Sequence, residues 1–214
     1  MKTHNASFER LFNTMIKPQA IFGMLLLFTL LYMWGDEALA LYISPLKELK
    51  SVKLFTLMGV GALWVAVLGF LFVLFQFVLK KRAQALQVGF LWLCVFVPNA
   101  INAFLKVGVG RARPIMLLEQ GHYGFHWFNF DSAFWSFPSS HTTTTVSLAL
   151  GLWILFPKHR VWYALFAIFI SISRLMLAKH YLSDVMAAAY LSVLEVGLVY
   201  VVWNRMQVKY QCLN

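Results

Sequence analysis

Charge is what this sequence has least of. Asp, Glu, Lys and Arg together make up 12% of its 214 residues, where a soluble domain carries about a quarter. Apolar residues make up 61% and gather in long runs, which excludes an ordinary soluble domain and indicates a chain that crosses a bilayer. Cysteine is nearly absent. Cys94 lies in an apolar run and Cys212 in the tail, so no structural disulfide is expected. There is no internal repeat, low-complexity tract or linker, and residues 1–214 read as a single domain. The net charge of +10 could attract nucleic acid, but Lys and Arg are spread among short loops rather than gathered in a stripe. No nucleic-acid partner is expected, and the basic residues are read as topology signals.

The apolar runs predict an all-α bundle of six transmembrane helices, at about Ala20–Trp34, Leu54–Leu79, Leu86–Leu105, Thr142–Phe156, Val161–Ala178 and Asp184–Trp203. Before them, Phe8, Leu11, Phe12, Met15 and Ile16 form one apolar stripe over residues 1–17, a segment able to lie in the membrane interface. Ala38-Leu39-Ala40 mimics a signal-peptidase site, but the segment is expected to stay uncleaved. Residues 36–53 mix charges with apolar residues around Pro45 and are expected to form a partly interfacial loop. Gly59, Gly61 and Gly69 are candidates for close helix packing.

Lys and Arg fall mainly on one side of this pattern: Lys2, Arg10 and Lys17, then Lys80, Lys81 and Arg82, then Lys158 and Arg160, then Arg205 and Lys209. That side is expected to be cytoplasmic, with both termini inside. The aromatic-rich segment 106–141 then lies outside, with Trp127, Phe128, Phe130 and their neighbours suited to the membrane–water boundary.

The chemistry centres on Ser136-Phe137-Pro138-Ser139-Ser140-His141, a polar turn leading into an apolar helix. A helix start offers unpaired N–H groups and the positive end of a dipole, which suits an anion. Upstream stand Lys106 and Arg113-Pro114; downstream stand Ser173-Arg174, His180 and Asp184. The predicted topology alone gathers all of these on the outer face. Three cations suit a phosphate ester, whose cleavage needs positioning and charge stabilisation. His180 and Asp184 are four apart, so on a helix they share one face within hydrogen-bond reach. A carboxylate so placed fixes the tautomer of an imidazole.

In order and spacing these stretches resemble the three signature motifs of the type-2 phosphatidic acid phosphatase superfamily, over residues 106–184. The superfamily includes membrane lipid phosphatases, glucose-6-phosphatase and the vanadium haloperoxidases. One position departs, since Ser140 stands where the family usually has glycine. A strained backbone there would suit serine less well. The resemblance implies that His180 is a nucleophile forming a phosphohistidine, and that His141 protonates the leaving alkoxide and later activates water. Lys106, Arg113, Ser139, Ser140 and Arg174 would then bind phosphate.

The expected activity is a metal-independent lipid phosphatase without cofactor, acting at the outer face of the cytoplasmic membrane. Its substrates by resemblance include undecaprenyl diphosphate, phosphatidylglycerophosphate, phosphatidic acid and lipid A phosphates. Two other readings stay open: a phosphotransferase using the same phosphohistidine, and a non-catalytic transporter or lipid-binding protein. The sequence carries no signal for oligomeric state. His122 and His126 are also four apart, with Asp131 nearby, but a third metal ligand is lacking and no zinc site is expected. Glu195, in the middle of the sixth span, is expected to be protonated or hydrogen-bonded rather than catalytic.

Overall fold

The computed structural model describes residues 5–212; Lys2 lies outside them, and so do the side chains of Lys50, Lys209 and Cys212. The described residues form helices and loops with one isolated bridge, between Arg111 and Phe125.

Helix α1, Ala6–Met15, is capped by Asn5, whose side chain accepts the Phe8 N–H. Its apolar stripe faces the protein. Phe8 is fully buried against Tyr200 and Trp153, with ring centroids 5.4 and 6.1 Å away. Helix α2, Pro18–Leu30, starts on a proline and passes through a π turn, Leu31–Gly35, into α3, Asp36–Ile43. The first apolar helix therefore does not end at Trp34. It continues, and Asp36, expected in an interfacial loop, is 1% exposed inside the bundle.

Helix α4, Lys50–Thr56, is separate and packs on a later helix, α9. Val60 is extended, and α5, Gly61–Val73, starts after it. The second span thus begins at Gly61 rather than Leu54. The glycines permit a close approach at the break. A Cβ at Gly59 would stand 2.8 Å from both His141 and Ile170, and one at Gly61 would stand 2.5 Å from the Asn99 side chain. Only a bare backbone passes there. At Gly69 the approach is looser, 3.3 Å to Trp92.

Helix α6, Arg82–Val109, tolerates Pro98 in its interior and ends at Gly110, whose φ is 57°. A Cβ at Gly110 would meet the His126 carbonyl at 1.9 Å, so the chain turns sharply back. Helix α7, Pro114–Gln120, opens the long loop. Helices α8, Ser140–Leu155, α9, Arg160–Met176, and α10, Leu182–Cys212, complete the bundle. Helix α8 lies at the centre, packed on α6, α9 and α10. One core cluster joins Phe8, Phe90, Cys94, Leu150, Ile154, Val196 and Trp203 from four helices.

Among the described residues, four helical stretches are long and apolar enough to cross a membrane: Pro18–Lys47, Gly61–Val78, Arg82–Val109 and Leu182–Gln207. Helices α8 and α9, expected as spans four and five, have 16 and 17 residues, at the short limit for crossing a hydrocarbon core.

Candidate active site

The central turn and the start of α8 form the floor. Ser139 is the residue before the helix; its hydroxyl accepts from Thr142 at 3.1 Å. Ser140 opens the helix and is not among the residues of positive φ, so nothing at this position demands glycine. Its hydroxyl donates to Asn102 Oδ1 at 3.0 Å, and Asn102 Nδ2 donates to Thr143 Oγ1 at 2.9 Å. Thr144 donates to Asn99 Oδ1 at 2.9 Å. The polar residues of α6 thus brace the first turn of α8. His141 projects from that turn against Gly59.

Lys106 and Arg174 lie in the last turns of α6 and α9, where a cation also suits the helix dipole. They are 8% and 7% exposed. Lys106 Nζ donates to the Trp135 carbonyl at 2.7 Å, Arg113 Nε donates to the Ser132 carbonyl at 2.9 Å, and Arg174 Nε has no partner. None of the three is paired with a carboxylate among the described residues. Three cations gathered without counter-charge are costly unless an anion joins them. Their positive field reaches both His141 and His180.

His180 sits between α9 and α10, after a turn in which Ala178 takes a left-handed φ of 49°. Its Nδ1 lies 2.6 Å from the Ser136 carbonyl. A carbonyl can only accept, so Nδ1 carries the proton and Nε2 keeps its lone pair. Burial, then the charges of Lys106, Arg174 and Arg113, hold its pKa well below the usual imidazole value of 6.5. The bond to Ser136 opposes this but does not offset it.

The direct His180–Asp184 hydrogen bond expected from their spacing is not formed; Nδ1 and Oδ2 are 4.0 Å apart. Helix α10 begins at Leu182, so His180 lies before it and the one-turn geometry does not apply. Asp184 instead caps the helix, accepting Tyr181 N–H at 2.8 Å and the Ser136 hydroxyl at 2.6 Å on Oδ2. Ser136 links the two, its hydroxyl on Asp184 and its carbonyl on His180 Nδ1.

Sequence reasoning missed Arg111 and Asp36. Arg111 is fully buried, donating to Asp184 Oδ1 at 2.5 Å, Asp36 Oδ2 at 2.7 Å and Ser183 Oγ at 2.7 Å. Five rings surround its guanidinium, from Tyr181 at 4.5 Å to Phe28 at 5.9 Å. The available signals were an extra arginine between Lys106 and Arg113, and an acid at the end of an apolar run. The other candidates lie apart from this centre. His122 and His126 have ring centroids 6.4 Å apart, and His126 packs edge-on against Phe134. Glu195 Oε2 is buried in α10 without a hydrogen-bond partner among the described residues. Trp127, Phe128 and Phe130 of the long loop are exposed, whereas Tyr123 and Phe125 turn inward around Arg111.

This arrangement, a histidine whose Nε2 keeps its lone pair within the field of three cations that no carboxylate among the described residues pairs, accompanies a match between residues 87–207 and the PAP2 superfamily, more than half of the sequence. The chain belongs to that superfamily. It is similar to the lipid A 1-phosphatases of Rhizobium johnstonii and Rhizobium etli, 38% and 37% identical over 112 residues. The match covers 50% of this chain and 46% and 48% of theirs, so the chain spans about half the length of these curated relatives. No solved structure matches it significantly.

Proposed function

We propose that this protein is a membrane lipid phosphatase that removes a phosphate from a lipid head group through a phosphohistidine on His180, without a metal. The observation that carries the proposal is the convergence of Lys106, Arg113 and Arg174, unpaired with any carboxylate among the described residues, upon a histidine whose Nδ1 is occupied. Membership of the superfamily and the lipid A 1-phosphatase relatives support it, and they make lipid A 1-phosphate the first substrate to try. Undecaprenyl diphosphate, phosphatidylglycerophosphate and phosphatidic acid come next. We place the site at the outer face of a bacterial cytoplasmic membrane, with both termini inside, on the basis of the distribution of Lys and Arg.

In the first step Nε2 of His180 attacks phosphorus and the bond to the lipid oxygen breaks. His141 gives that oxygen a proton. In the second step His141 takes a proton from water, the oxygen attacks phosphorus, and the N–P bond breaks to release inorganic phosphate. Lys106, Arg113 and Arg174 hold the phosphoryl oxygens through both steps, joined by the Ser139 hydroxyl and the backbone N–H groups at the start of α8. The Ser140 hydroxyl proton is directed to Asn102, so Ser140 contributes its backbone N–H.

The test is phosphate release by the purified protein from each of the four lipids, with EDTA or vanadate, and with and without an acceptor lipid. Release should survive EDTA and be inhibited by vanadate, and His180→Ala should lower turnover by several orders of magnitude while the protein still inserts. Loss with EDTA and recovery with zinc or magnesium would overturn the metal-free mechanism. Turnover by His180→Ala near wild type would overturn the role of His180.

A further inference from the structure

We propose that Asp36, on the first apolar helix and outside the residues matched to the superfamily, is a positioning residue for His180, acting through Arg111, Asp184 and Ser136. The inference rests on the reading of His180 as the nucleophile. Asp36, Arg111 and Asp184 form one charged row, each with its side chain wholly buried. The two terminal nitrogens of Arg111 are divided between the carboxylates, Nη2 to Asp36 and Nη1 to Asp184. Its Nε has no partner among the described residues, and five rings enclose the guanidinium. Its shortest contacts, to the two carboxylates and Ser183, therefore fix its orientation along the row, with the Tyr123 hydroxyl a longer partner at 3.3 Å. Ser183 ties the row together: its N–H donates to Asp36 Oδ1 at 3.0 Å, and its hydroxyl meets both Asp36 and Arg111.

From Asp184 the row continues to the nucleophile. Oδ2 holds the Ser136 hydroxyl at 2.6 Å, and the Ser136 carbonyl holds His180 Nδ1 at 2.6 Å. Without the Asp36 carboxylate, one prong of the Arg111 fork keeps only the longer contact to Tyr123, and Asp184 is the one carboxylate left to hold the guanidinium. Displacement of the guanidinium then passes to Ser136 and to the ring. The first helix is shaped for this contact. Its π turn, Leu31–Gly35, inserts one residue and so rotates the next helical turn by about 100°, and Asp36 is the first residue of that turn. A π turn at this point supplies a buried carboxylate from a helix whose other side chains are largely exposed.

The full-length protein in detergent micelles decides the matter, with the lipid phosphate that the wild type hydrolyses fastest as probe. Asp36→Asn is nearly isosteric. It should lower kcat about a hundredfold, the order expected when a reacting group shifts by about 1 Å, while competitive inhibition by inorganic phosphate is unchanged because the cations are untouched. Ser183→Ala should do the same more weakly. Arg111→Ala should be nearly inactive and recover with added guanidinium but not with equal sodium chloride. The ¹⁵N shifts of the His180 ring, assigned by their loss in His180→Ala, should show a single Nδ1–H tautomer in the wild type and a mixture in Asp36→Asn. An Asp36→Asn protein with kcat within about twofold of wild type and an unchanged ring overturns the proposal. So does a loss of kcat and phosphate affinity together with an unchanged ring, which is the mark of a merely structural tie. If the wild type hydrolyses no lipid tested, the proposed function fails, and the ring spectrum still decides this inference.

Discussion

Ser140 stands where the motif resemblance leads to an expectation of glycine, and its surroundings assign it a modest role. It begins α8 in helical conformation and gives its hydroxyl proton to Asn102. Ser140→Gly and Ser140→Ala should therefore both retain kcat/KM to within a few-fold. An equal loss of about ten- to a thousandfold in both would mean that the hydroxyl donates to phosphate after all. Burial and nearby charge also fix the pH behaviour of His180. Its pKa is held well below 6.5, so the neutral, nucleophilic form persists under mildly acidic conditions. A ring titration by NMR should show no midpoint near 6.5, and one found there would contradict the burial described. The consequence for stability has a definite sign. Below about pH 6.5 the unfolded imidazole takes up a proton that the folded one refuses, so His180 destabilises the fold increasingly as pH falls.

At the scale of elements, the site depends on helix ends. Lys106 and Arg174 occupy last turns, Ser139 and His141 flank the first residue of α8, and Asp184 lies in the first turn of α10. Gly59 sets how closely the segment before α5 approaches His141. In Gly59→Ala the new methyl would overlap both His141 and Ile170 at 2.8 Å, and α8 would have to shift. The expected outcome is a fall in kcat/KM of at least about tenfold and a loss of stability of about 1–3 kcal/mol, read by turnover and by thermal unfolding in detergent. Wild-type values for both would show that the contact relaxes freely. The motif residues were legible because their chemistry is fixed by residue type and spacing. The partner of Asp184 was not, because a four-residue spacing implies a shared helix face only when both residues are on the helix.

For the whole molecule, the arrangement in the membrane is the property most open to direct test. Phe130→Cys, on the exposed part of the long loop, should react with an impermeant thiol reagent applied outside intact cells, and Lys158→Cys, between α8 and α9, should not. Both are made with Cys212 replaced; Cys94 is fully buried and can stay. Gly124 is unsuitable as a labelling site, since its φ of 98° resists any side chain. Reversed labelling would put the site in the cytoplasm.

The order of apolar runs and the identity of Lys106, Arg113, Ser139, His141, Arg174 and His180 belong to the sequence, because hydropathy and residue chemistry act locally and need no partner to be read. Asn99 and Asn102 are polar residues in an apolar run, where such side chains seek partners, and the structure supplies Thr144 and Thr143. Only the tertiary structure decided where α10 starts, and hence that Asp184 reaches His180 through Ser136. It alone joined Asp36 to Arg111 across 75 residues. A π turn and a fully buried ion pair depend on helices meeting in space, and neither leaves a local period in the chain.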